Sequence, residues 1–149
     1  MTGHQDAAYR LRMAQGFLDE ARQDVTLDRW RSAVDNSQLA VENAAKAVLA
    51  LLGPVGRTHN PAVQIRQALG EGRFTPHDDL VQRLAENAEK LGPDVHIQTD
   101  YGDEVGERTP WELFDEDDAH ETLALAEEAV SLARAALGDG QEQTFNRAV

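Results

Sequence analysis

The chain has 149 residues, about one domain's worth, with 41% apolar and 28% charged residues, which excludes wholesale disorder. It has no cysteine, which excludes disulfide scaffolds, thiol nucleophiles and thiolate-held metals, and no apolar run reaches the roughly 18 residues of a membrane helix. The net charge is −13, unevenly placed: residues 1–97 hold 11 basic and 13 acidic residues, residues 98–149 hold 3 and 14.

The first predicted helix runs from about Asp6 to Asp24. Leu11, Ala14, Leu18, Ala21 and Val25 recur at three- and four-residue steps, with Phe17 beside them. That is one apolar face. The second helix runs from about Asp28 to Leu52. Its face is Trp30, Val34, Ser37, Val41, Ala44, Val48 and Leu51, widened by Ala40, Ala45 and Ala47, with Leu39 and Leu49 off it. A helix apolar over so broad an arc belongs at the centre of a fold. Gly53-Pro54 stops it.

Residues 55–60 read as a loop. Asn60-Pro61 supplies an N-cap and a first helical residue for a short helix to about Leu69, ended by Gly70 and Gly72. Thr75-Pro76 repeats the signal for a fourth helix with Leu80, Val81, Leu84, Ala88 and Leu91, stopped at Gly92-Pro93. Residues 94–114 read as one long irregular, flexible segment, of a length common in functional loops. The last helix starts near Asp115 on a stripe of Leu123, Ala126, Val130, Ala133 and Leu137, and the tail over 139–149 is expected to fray. Aromatics and β-branched residues are few, and no repeat or hairpin pattern occurs. These elements predict one all-α domain over 1–149, an antiparallel up-and-down bundle of four to five helices framed by the long first, second and fifth.

Few residues suggest chemistry. The acidic last third repels phosphate, but the middle stretch could meet an anion locally. It holds Arg57, Arg66, Arg73 and Arg83, with His59, His77 and His96 nearby. Bundles bind paired metals through Glu-x-x-His, which is missing. Asp115-Glu116-Asp117-Asp118 reads as anions at a helix N-terminus, and no metal or other cofactor is expected. Walker A, G-x-G-x-x-G and G-x-S-x-G patterns are missing too. Glu42 and Lys46 form an i,i+4 pair in the favourable order. With Asp35, Asn36 and Asn43 they make a polar strip on the central helix, either a solvated face or a polar pocket within the bundle or at a dimer contact. The first residues lack the basic start and apolar stretch of a secretory signal, so a cytoplasmic location is expected.

Three stretches of this chain resemble the HEPN family of small prokaryotic helical domains. One is Ser37 to Leu49, with Glu42 and Lys46-Ala47. The second is Thr58-His59-Asn60, where the family often has a His opening a short helix. The third is Tyr101 followed by Thr109-Pro110-Trp111-Glu112-Leu113-Phe114-Asp115-Glu116-Asp117-Asp118-Ala119. The likeness spans roughly Met13 to Leu137.

The resemblance implies an up-and-down bundle, usually a homodimer, concerned with RNA or nucleotides in toxin–antitoxin and defence systems. Many members are metal-independent ribonucleases with an Arg-x4-6-His motif. There His moves the proton and Arg holds the developing phosphorane charge. No arginine of this chain precedes a histidine at that spacing. Arg73 and His77, one residue short, are the nearest pair and the candidate catalytic residues. Arg57, His59, Arg66 and Tyr101 are candidate RNA or nucleotide contacts. Asp100 stands before Tyr101 where relatives have Arg. The expectation is a non-catalytic dimeric subunit, or the partner of a separate minimal nucleotidyltransferase, with RNA or a nucleotide as ligand and no membrane. The alternative is a ribonuclease toxin using Arg73 and His77.

Overall fold

A computed structural model describes the backbone of residues 2–148 and the side chains of residues 2–138. Seven helical segments occur among the described residues. They are α1 (Gly3–Thr26), α2 (Trp30–Ala50), α3 (Pro61–Gly70), α4 (Asp78–Lys90), α5 (Pro93–Tyr101), α6 (Pro110–Leu113) and α7 (Glu116–Ala148). The tail expected to fray over 139–149 lies outside the fully described residues.

α1 begins earlier than its apolar stripe does. Thr2 and Gln5 form a capping box, with the Gln5 amide donating to Thr2 Oγ1 at 3.1 Å and the Thr2 amide to Gln5 Oε1 at 2.9 Å. Ala7, Leu11, Ala14, Leu18 and Ala21 are buried, but the next buried position is Asp24 rather than Val25. The Asp24 carboxylate accepts from Ser32 Oγ and Asn36 Nδ2, both at 2.8 Å, and its carbonyl accepts from the Arg29 amide. A buried carboxylate needs such donors. Here they fix the tight turn between α1 and α2.

Helix directions follow from the pairs between them. The start of α1 lies against Ala50 at the end of α2, so these two run antiparallel. Arg134 reaches Gln15 and Arg22 reaches Glu127, so α7 runs against α1. Arg83 meets Glu128 and Asn87 meets Leu125, so α7 runs against α4. The result is an up-and-down all-α bundle of α1, α2, α4 and α7, with α3 bridging α2 and α4. Alanine lines the seams. Ala7, Ala14 and Ala21 of α1, Ala40, Ala44 and Ala47 of α2, and Ala126, Ala129 and Ala133 of α7 are all buried. Small side chains at this repeat let long helices approach closely without voids. Leu49, off the sequence stripe, is also buried, because α2 is covered on several sides.

Two further features differ from the sequence expectation. Residues 94–114 are not one irregular stretch, since α5 and α6 lie within it. α5 carries no apolar stripe, so periodicity does not reveal it. Gly92-Pro93, which stops α4, also starts α5 as N-cap and first helical residue. α6 is held by a capping box in which Thr109 Oγ1 accepts from the Glu112 amide. Thr75-Pro76 does not open α4, which starts two residues later with His77 at its N-cap. Thr75 Oγ1 instead donates back to the Gly72 carbonyl at 3.2 Å, within the turn.

Candidate functional site

The face of α2 not used by α1 and α7 is covered by α5 and α6. On it Arg31, Asp35, Gln38, Glu42 and Lys46 recur at three- and four-residue steps, so they form a polar row along the helix. The strip is therefore no solvated face. Glu42 is 6% exposed and Lys46 12% exposed, and Lys46 Nζ stands 3.3 Å from Glu42 Oε2. Gln38 is fully buried. Glu42 Oε1 and Gln38 Oε1 are buried with no hydrogen-bond partner among the described residues. Buried polar atoms are almost always paired, so these two acceptors are open to a donor.

Two histidines complete the row. His59, in the loop before α3, is 72% exposed, with Nδ1 3.5 Å from Glu42 Oε1. His96 of α5 places Nδ1 3.6 Å from Asp35 Oδ1. The two rings stack, with centroids 6.2 Å apart and planes 15° apart. Each imidazole thus presents Nδ1 to a carboxylate and Nε2 to the other side. Asp35 also accepts from Thr99 Oγ1 at 3.3 Å and lies 3.9 Å from Arg31, which donates to the Thr99 carbonyl at 2.9 Å. These contacts dock α5 on α2 and so position His96.

The other residues singled out in the sequence lie elsewhere. Arg73, exposed in the turn after α3, donates to the Leu52 carbonyl at 3.3 Å and lines a 240 Å³ cavity with Leu49, Val55 and Ala68. His77 is half-buried at the head of α4, and buried Phe74 stands between them in the chain. Neither belongs to the α2 row. Arg66 is held by Glu89 through two bonds of 2.7 and 3.2 Å. The Arg66 hydrogen bonds hold the Glu89 carboxyl below the usual carboxylate range. Arg57 is exposed in the loop two residues before His59, and Tyr101 is exposed at the end of α5. Of the named residues the structure joins Asp35, Glu42, Lys46 and His59. Sequence reading missed Arg31, Gln38, Thr99 and His96 as members. The 31-35-38-42-46 spacing could have indicated the first two, but nothing local points to the α5 pair.

No group of three or more His, Asp or Glu among the described residues has metal-binding geometry. The row can hold a polar ligand and move a proton at two imidazole nitrogens. In the comparison with known families, the HEPN domain pattern matches residues 7–136. No curated protein matches the chain.

Proposed function

Because the chain belongs to the HEPN domain family over residues 7–136, we propose that it is a dimeric module that holds RNA or a nucleotide on the polar row of α2. In this reading it does so without the family's Arg-x4-6-His chemistry. The observation that carries the reading is the buried Glu42 carboxylate, whose Oε1 makes no hydrogen bond and faces Nδ1 of exposed His59 at 3.5 Å. A carboxylate there accepts N–H donors of a base edge, while the imidazoles beside it can meet a phosphate when protonated. The exposed Ile97, Tyr101 and Val105 on and after α5 support a second copy as cover for this side. A minimal nucleotidyltransferase is the partner the reading expects.

The test is incubation with transfer and messenger RNA, with and without EDTA, together with a binding titration and a solution mass. Wild type is expected to bind without cutting and to have twice the monomer mass. His59→Ala and His96→Ala lose binding, whereas Arg73→Ala and His77→Ala retain it. EDTA-resistant cleavage lost in Arg73→Ala or His77→Ala would overturn the reading and favour the ribonuclease of divergent motif. The stacked imidazoles favour a second reading, a metal-independent ribonuclease at the α2 row. Its signature is EDTA-resistant cleavage lost in His59→Ala and His96→Ala alone.

A further inference from the structure

A second site lies at the other end of the same face. The turn from α1 into α2 and the short helix α6 enclose a cavity of about 490 Å³. Its walls include Asp28, Arg29, Trp30, Arg31, Trp111 and Phe114. The chain has only eight aromatic residues, and both of its tryptophans are here. Trp111 is 73% exposed. A large indole left in water costs hydrophobic free energy that the fold could recover by burying it. Instead the indole is held in place. Pro110 beside it is buried, and the Thr109–Glu112 capping box fixes the helix that carries it. Arg31 stands over its ring, 5.7 Å from the centroid, and is itself tied to the Thr99 carbonyl.

In a chain of net charge −13, Arg10, Arg22, Arg66 and Arg83 each pair with a carboxylate. The exposed Arg29 side chain has no such pair and no hydrogen bond among the described residues. Arg31 beside it lies 3.9 Å from Asp35, so Arg29 is the guanidinium of this wall left to meet an anion. Flat aromatic surface, an unpaired guanidinium and a pre-set geometry suit a ligand with a planar ring and one phosphate.

We propose that this cavity is a nucleotide site, in which the base stacks on Trp111 and the phosphate meets Arg29. The ligand class rests on the nucleotide reading given above, while the place does not. The same chemistry comes from two sources, a free mononucleotide or one nucleotide of a single-stranded RNA.

The test uses the full chain and follows intrinsic tryptophan fluorescence, which reports this cavity because both indoles line it. AMP, GMP and a six-nucleotide single-stranded RNA are titrated, with inorganic phosphate as control, and each titration is repeated by calorimetry. Saturable quenching by nucleotide or RNA, but not by phosphate, is expected. Trp111→Leu should weaken calorimetric binding about tenfold, the size of one lost base–aromatic stack. Arg29→Gln should weaken the phosphate-bearing ligands and leave an uncharged nucleoside unaffected. Both side chains are exposed, so a circular dichroism melt should show the variants folded. Quenching by AMP or GMP assigns a mononucleotide site, and quenching by the RNA alone assigns a strand site. Calorimetric binding with no quenching and no effect of Trp111→Leu overturns this inference and leaves the α2 reading standing. No binding of any probe overturns both. If Trp111→Leu converts a dimer to a monomer without changing nucleotide affinity, the patch is an interface and the inference fails.

Discussion

Replacing Lys46 by Met tests whether the polar row of α2 is a buried ionic site. Lys46 and Glu42 are 12% and 6% exposed, with 3.3 Å between Nζ and Oε2. Lys46→Met keeps length and shape but leaves the Glu42 carboxylate buried without its cation. Removing one member of a buried pair costs about 3–5 kcal/mol. Lys46 keeps some contact with water, so the cost belongs near the lower end, about 3 kcal/mol. For a chain of this size each kcal/mol moves Tm by roughly 2–4 °C, so Tm should fall by about 6–12 °C. Glu42→Leu should cost less, about 1 kcal/mol, because a lysine left alone can extend its ammonium toward solvent. The double variant Glu42→Leu/Lys46→Met removes both charges and should lie close to wild type, well above the sum of the two. Urea melts at pH 7 with calorimetry on all four proteins supply the cycle. A Lys46→Met loss within about 0.5 kcal/mol, the range of ordinary surface changes, would refute the buried pair and make the row a solvated strip.

Ile65 of α3 is fully buried in the core; Ile65→Ala should cost about 2–5 kcal/mol by urea melt, the range for such cavities. Gly102 has φ +70°, and a Cβ there would strike the Arg108 carbonyl. Gly102→Ala should therefore loosen the Asp103–Arg108 bridge, cost about 1–3 kcal/mol and speed proteolytic nicking between 102 and 109. The Glu128 carboxyl is held below the usual carboxylate range, first by the Arg83 hydrogen bond and then by Asn87. A folded-state value depressed in this way stabilises above the unfolded value, about 4.3, and the benefit is lost as pH falls through the lower folded value. Tm measured from pH 7 to pH 3 should thus drop less steeply in Glu128→Gln than in wild type below about pH 4.3. Parallel curves would remove Glu128 from the acid response.

The bundle was legible because its information is local. Leu11, Ala14 and Leu18, or Val41, Ala44 and Val48, lie on one helix face by spacing alone, and each of these residues is buried. The Glu42–Lys46 pair was legible for the same reason, since i,i+4 residues meet on any helix. Its burial was not, because α3, α4 and α5, segments distant in the chain, pack on α2, and α5 has no apolar stripe to announce it. His59 and His96 are 37 positions apart and meet only because the loop before α3 and the docked α5 converge over Glu42 and Asp35. Arg31 and Trp111, 80 positions apart, share a cavity for a similar reason. The sequence by itself determined the long helices, most of their inward faces and the family the pattern resembles, but not α5 and α6. The tertiary structure alone decided which polar residues share a site. A helix face is fixed by backbone geometry over a few residues, whereas such a site depends on packing between segments distant in the chain.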